Sequence, residues 1–123
     1  MVQIRVYYED TDAGGIVYHS NYLNFCERAR SEIFFKIGKN PMDENGHFVV
    51  RRVEADFLSS AKLGDILTVK TTLFESKKAS CTLLQQIYKE NELIFRATVN
   101  LAYIRDGKVV KIPQEKIDIL ATF

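Results

Sequence analysis

The sequence predicts an α+β domain in which one long helix lies against a curved antiparallel sheet. Three observations carry that expectation. Residues 21–37 hold apolar positions at helical spacing, and the chain after residue 48 alternates apolar and polar residues in four runs. The connectors between those runs are short and polar, which suits antiparallel neighbours. A chain of 123 residues is one domain by length, residues 1–123.

Taken in order, residues 2–9 (VQIRVYYE) place Val2, Ile4 and Val6 on one side and predict a first strand. From Asn21 to Ile37, NYLNFCERARSEIFFKI puts Tyr22, Cys26, Ala29, Ile33 and Ile37 at steps of three and four. That is a helical face, and Gly38 followed by Pro41 supplies the stop. Glu27, Arg28, Arg30 and Glu32 make the opposite face charged, while Phe34 and Phe35 widen the apolar side. A helix apolar on more than one side needs cover from several elements. After a turn around Asn45-Gly46, a strand follows with Val49, Val53, Ala55 and Phe57 alternating against Arg52, Glu54 and Asp56. Residues 66–75 alternate on Leu67, Val69, Thr71 and Leu73; residues 79–89 place Cys81, Leu83 and Ile87 on one face. Residues 93–104 do the same with Leu93, Phe95, Ala97, Val99 and Leu101. Asp106-Gly107 is a hairpin-type turn, and the segment after Pro113 predicts one or two helical turns. Strand, long helix, then four or five antiparallel strands is the layout of the hotdog fold. Its long central helix is wrapped by a five- to six-stranded antiparallel sheet.

Composition narrows the function. The apolar share of 46% and charged share of 27% are those of an ordinary soluble globular domain. A net charge of +1 argues against nucleic acid, which demands a clustered basic excess. No apolar run is long enough for a transmembrane segment, and MVQIRVYYED lacks a signal-peptide pattern, so the expected location is the cytoplasm. Cys26 and Cys81 have no metal-ligand or CxxC spacing and read as reduced core residues. A lone domain of this size leaves much surface uncovered, which favours a homo-oligomer.

The chemistry concentrates at Tyr8 to Tyr22, YEDTDAGGIVYHSNY. Gly14-Gly15 permits positive φ and close approach of a ligand. Ser20 or Asn21 is placed as a helix N-cap, and the first turn beyond it offers free backbone N–H groups at the positive end of the helix dipole. Such donors stabilise an oxyanion. With Asp12 just upstream and His19 at the helix start, the stretch holds the parts for acyl transfer. The same residues also suit a plain capped turn. No G-x-S-x-G elbow or P-loop competes, and His47, in a polar turn, reads as exposed.

The segment VYYEDTDAGGIVYHSNYLNFCERARSE resembles the signature of the 4-hydroxybenzoyl-CoA thioesterase family of hotdog proteins. It is most similar to the YbgC-like acyl-CoA thioesterases encoded with bacterial Tol–Pal systems. The family pattern is met at Tyr8, Asp10, Asp12, Gly15, Ile16-Val17, Tyr18, His19 and Asn21-Tyr22. Residues 49–65 (VVRRVEADFLSSAKLGD) are similar to the family's second strand and following turn.

The resemblance implies an acyl-CoA thioesterase that needs no metal or other cofactor. Asp12 would be the essential carboxylate, either nucleophile or general base. A backbone N–H at or beside His19 would polarise the thioester carbonyl, and the His19 side chain would orient water or assist proton transfer. Asp10 would be scaffold. Gly15, Val17, Tyr18 and Tyr22 would line the substrate site, with Phe25 a further candidate. Lys77 and Lys78 would hold CoA phosphates, with Lys62 and Arg51-Arg52 as other candidates. The site would lie between two subunits of a dimer or tetramer whose sheets continue into one another. Acyl carrier protein is a further candidate partner. The competing expectation is a non-catalytic module that binds acyl-CoA or acyl carrier protein on the same fold.

Overall fold

The computed structural model describes residues 1–122. Strand β1 (Val2–Arg5) leads through a 3-10 turn (Tyr8–Asp10) and a loop into helix α1 (Asn21–Phe35). Strands β2 (His47–Phe57), β3 (Ile66–Ser76), β4 (Ser80–Lys89), β5 (Glu92–Arg105) and β6 (Lys108–Val109) follow, then helix α2 (Gln114–Ala121). The strands form one antiparallel sheet ordered β1-β3-β4-β5-β2, with β6 paired to β5. This is the hotdog fold.

Helix α1 buries Tyr22, Phe25, Cys26, Ala29, Ile33 and Phe34 against Leu67, Val69, Leu83, Ile87, Phe95 and Val99 of the sheet. The periodic stripe read from the sequence is therefore the core face, and burial of these side chains outweighs their loss of conformational freedom. Cys26 and Cys81 are buried free thiols, and burial pushes their pKa values up to about 12 and about 11. The Asp106-Gly107 turn has φ of 52° and 77°, the left-handed pair that a tight two-residue hairpin demands.

Four details differ from the sequence reading. The first strand stops at Arg5, because the chain turns at Tyr8–Asp10, so Glu9 lies in that turn and not at a strand end. Helix α1 ends at Phe35, two residues before Ile37, and Ile37 is exposed. In β2 the register shifts between Val50 and Arg52. That bulge reverses the alternation, so Phe48 and not Val49 packs onto the core N-terminal to it. Arg30, placed on the charged face, bends inward and donates to Gln85 of β4. Gln85 is fully buried within the stripe read as apolar.

Candidate active site

The loop before α1 is closed on itself and clamped to the sheet. Thr11 and Val17 pair as an antiparallel bridge, and the Asp12 N–H donates to the Ile16 carbonyl at 2.9 Å. At the tip, Asp12 Oδ1 accepts the Gly14 N–H at 2.8 Å, while Gly15 takes φ of 81°. One carboxylate oxygen of Asp12 is thereby fixed and the other is unengaged among the described residues. Val17 is buried, and its N–H donates to the Ala61 carbonyl at 2.8 Å. The next residue of that strip, Lys62, bridges Ile16.

Asp10 is the scaffold of this loop. Its side chain is buried and accepts the Tyr7 N–H at 2.9 Å. Its carbonyl accepts the Tyr18 N–H and the Asn21 carboxamide, each at 2.9 Å. Ser20 stands at the N-cap position, yet its side chain makes no capping hydrogen bond. Asn21 reaches back to the loop in place of capping the helix. The His19 and Ser20 backbone N–H groups are unengaged among the described residues, so donors stand open beside the helix's positive end.

His19 and Tyr18 are exposed, with ring centroids 4.4 Å apart. The His19 ring also meets Phe57 edge-on at 6.3 Å. Phe57 is 53% exposed at the end of β2, and its place beside His19 was not read from the sequence, where it is only the last member of a strand alternation. Tyr22 is 3% exposed: its ring stacks on Phe95 at 5.2 Å, and its hydroxyl accepts the Ala61 N–H at 3.1 Å. Within one chain Tyr22 thus braces the site from behind. Phe25 is likewise fully buried.

The structure brings Asp12, Gly15, Val17, Tyr18, His19 and Tyr22 together, with Lys62 beside them. It does not bring Lys77 and Lys78 there within one chain. They occupy the turn between β3 and β4, whereas the loop meets the opposite end of β3, roughly 30 Å away along an eleven-residue strand. Lys77 Nζ lies 3.8 Å from Glu75, and the Lys78 carbonyl accepts the Ile112 N–H. Arg51 donates to Asn100, and Arg52 pairs with Glu54, both exposed on β2. Among the described residues, no helix is long and apolar enough to cross a membrane.

The thioesterase superfamily model matches residues 14–95. The chain is 52% identical over 87 residues to acyl-CoA thioesterase YbgC of Helicobacter pylori, covering 71% of this chain and 65%, just under two thirds, of that relative. It is 39% identical to acyl-CoA thioesterase YbgC of Haemophilus influenzae, covering 91% of this chain and 87% of the relative. A crystal structure of a probable thioesterase from Bartonella henselae superposes with a TM-score of 0.86 at 35% identity, covering 91% and 97% of the two chains. With that family model spanning most of the chain and relatives of this identity, the chain belongs to the thioesterase superfamily.

Proposed function

We propose that this chain is an acyl-CoA thioesterase, hydrolysing acyl-CoA to free acid and CoA. The observation that carries the reading is Asp12, held by one oxygen with the other free, in a loop fastened to the open N-terminus of α1. As a general base, Asp12 takes a proton from water while the hydroxyl adds to the thioester carbonyl. The resulting oxyanion is met by the N–H groups at the helix start, and its collapse expels the CoA thiolate. As a nucleophile, the carboxylate adds to the same carbon, CoA leaves, and water then cleaves the mixed anhydride. His19 orients the water or carries the proton to the leaving sulfur. Gly15, Val17 and Tyr18 shape the thioester end, and Tyr22 backs it.

The enzyme works as a single hotdog domain over residues 1–123, in the cytoplasm, as a dimer or tetramer, with no cofactor beyond its substrate. Acyl groups carried on acyl carrier protein are a second substrate form, and the Tol–Pal setting of YbgC-like proteins is the expected cellular context. Lys77 and Lys78 serve the phosphate end of CoA bound at a neighbouring subunit, since their own chain's loop is a strand length away. The YbgC names of the relatives support the substrate class.

The test is free-thiol release from a panel of short aliphatic, long aliphatic and aromatic acyl-CoAs. Turnover of at least one class, lost on Asp12→Asn, is expected. Tight binding with no turnover across the panel would favour the non-catalytic acyl-binding module.

A further inference from the structure

We infer that the cleft between the C-terminal half of α1 and the start of β2 receives the far end of an acyl group that bears a terminal carboxylate, with Arg30 as its partner. The inference rests on the thioesterase reading and names a substrate class for it. The cleft encloses about 190 Å³. Its walls are mainly apolar, including Phe34, Phe48, Val50, Leu83 and Leu101, and Arg30 stands among them.

Arg30 is held from behind. Its Nη1 donates to Gln85 Oε1 at 2.9 Å. The Gln85 amide cannot turn over, because its Nε2 already donates to the Cys26 carbonyl and the Thr71 hydroxyl, each at 3.0 Å. A core-anchored amide, not a carboxylate, therefore sets the guanidinium at the cleft wall. Among the described residues no Asp or Glu lies within ion-pair distance of Arg30. Burial lowers its pKa, and the Cys26 thiol and the Glu27 carboxylate on the cleft rim offset this only in part. Glu27 is exposed and accepts from the Ser31 hydroxyl at 3.4 Å. His47 is the remaining titratable lining residue. A half-buried guanidinium with most of its donors unused, between apolar walls, is completed by a ligand with an apolar body and an anionic end.

The candidate site and the cleft stand at opposite ends of α1. His19 meets Phe57 at one end of the α1–β2 pair, and Phe34 meets Phe48 at the other, with centroids 6.3 and 6.4 Å apart. From Asn21 to Arg30 the helix rises about 13 Å, a span that a medium-length acyl chain covers from a carbonyl at the helix start.

The experiment compares decanoyl-CoA with its terminal carboxylate analogue, decanedioyl-CoA, in wild type, Arg30→Met and Arg30→Lys. Wild type is expected to favour decanedioyl-CoA in kcat/KM. Arg30→Met should lower that preference ratio by roughly tenfold to a hundredfold, the worth of a hydrogen bond to a charged group. Arg30→Lys should retain part of it, lacking the bidentate fork. Hydrolysis of both substrates with the same ratio in wild type and Arg30→Met overturns the inference and leaves the thioesterase reading intact. A changed particle mass by light scattering with an unchanged ratio also overturns it, assigning Arg30 to a second copy of the chain. Should Arg30→Met fail to fold, the wild-type ratio decides alone, and no preference for decanedioyl-CoA sinks the inference. Should wild type hydrolyse neither, the acyl-CoA panel decides the thioesterase reading. Calorimetry with free decanedioate against decanoate then decides the cleft, equal binding of the two overturning it.

Discussion

The Asn21 carboxamide donates to the backbone carbonyl of Asp10 at 2.9 Å, and the same oxygen accepts the Tyr18 N–H. One carbonyl thus fastens the first residue of α1 to the loop that carries Asp12. Asn21 is a positioning residue on this reading: it sets how far the carboxylate stands from the open helix N–H groups. Asn21→Ala is expected to lower kcat roughly tenfold to a hundredfold, the scale of an ångström-sized misplacement, with KM and Tm little changed. Steady-state kinetics beside a thermal melt check it; an unchanged kcat contradicts it.

A second tie runs behind the site. The buried Tyr22 hydroxyl accepts the Ala61 N–H, and the Ala61 carbonyl accepts the Val17 N–H. Tyr22→Phe keeps the ring stack on Phe95 but leaves a buried N–H without a partner. Urea denaturation should show a loss of about 1–3 kcal/mol. A neutral result would mean that Ala61 finds another acceptor and that the tie does not hold the loop.

The α2 end of the molecule carries a pH-dependent contribution. Lys116 is buried over the Phe34 ring and pairs with Asp43 in the turn before β2. The hydrogen bond from Lys116 holds the Asp43 carboxyl below its usual range. A carboxyl lowered by folding contributes stability that is present above its unfolded pKa, about 3.9, and is lost as pH falls through the folded value. Wild type should therefore exceed Asp43→Asn in stability near neutrality, and the gap should close as the pH is taken below 4. Denaturation midpoints of both proteins across that range decide it; a gap that stays constant removes the Asp43–Lys116 pair as its source.

Much of this fold and part of the site were legible from residue spacing. The α1 stripe at Tyr22, Cys26, Ala29 and Ile33 and the alternation of β3 and of β5 from Phe95 to Leu101 survive because each reports which side meets the core; at the start of β5 a register shift buries Ile94 in place of Leu93. The Asp12 loop was legible because Asp, Gly-Gly and a helix start each have local conformational reasons to sit there. What failed to show depends on long-range pairing. The bulge after Val50 turns Phe48 inward, and nothing local marks it. Gln85 reads as a polar interruption of a strand until Thr71, Cys26 and Arg30 close around it. Phe57 reaches His19 only because β2 ends where α1 begins. Lys77 and Lys78 carry a charge that suits phosphate, and charge alone does not reveal which end of β3 their turn occupies or which subunit's site it faces.

Catalysis by the Asp12 carboxylate is tested most directly by the turnover of Asp12→Asn on the wild type's best acyl-CoA. The asparagine keeps an oxygen that can accept the Gly14 N–H, so the loop is expected to stay folded while the basic and nucleophilic carboxylate is removed. A fall in kcat of about a hundredfold or more is expected, with Tm little changed. Undiminished hydrolysis by a folded Asp12→Asn protein would contradict it.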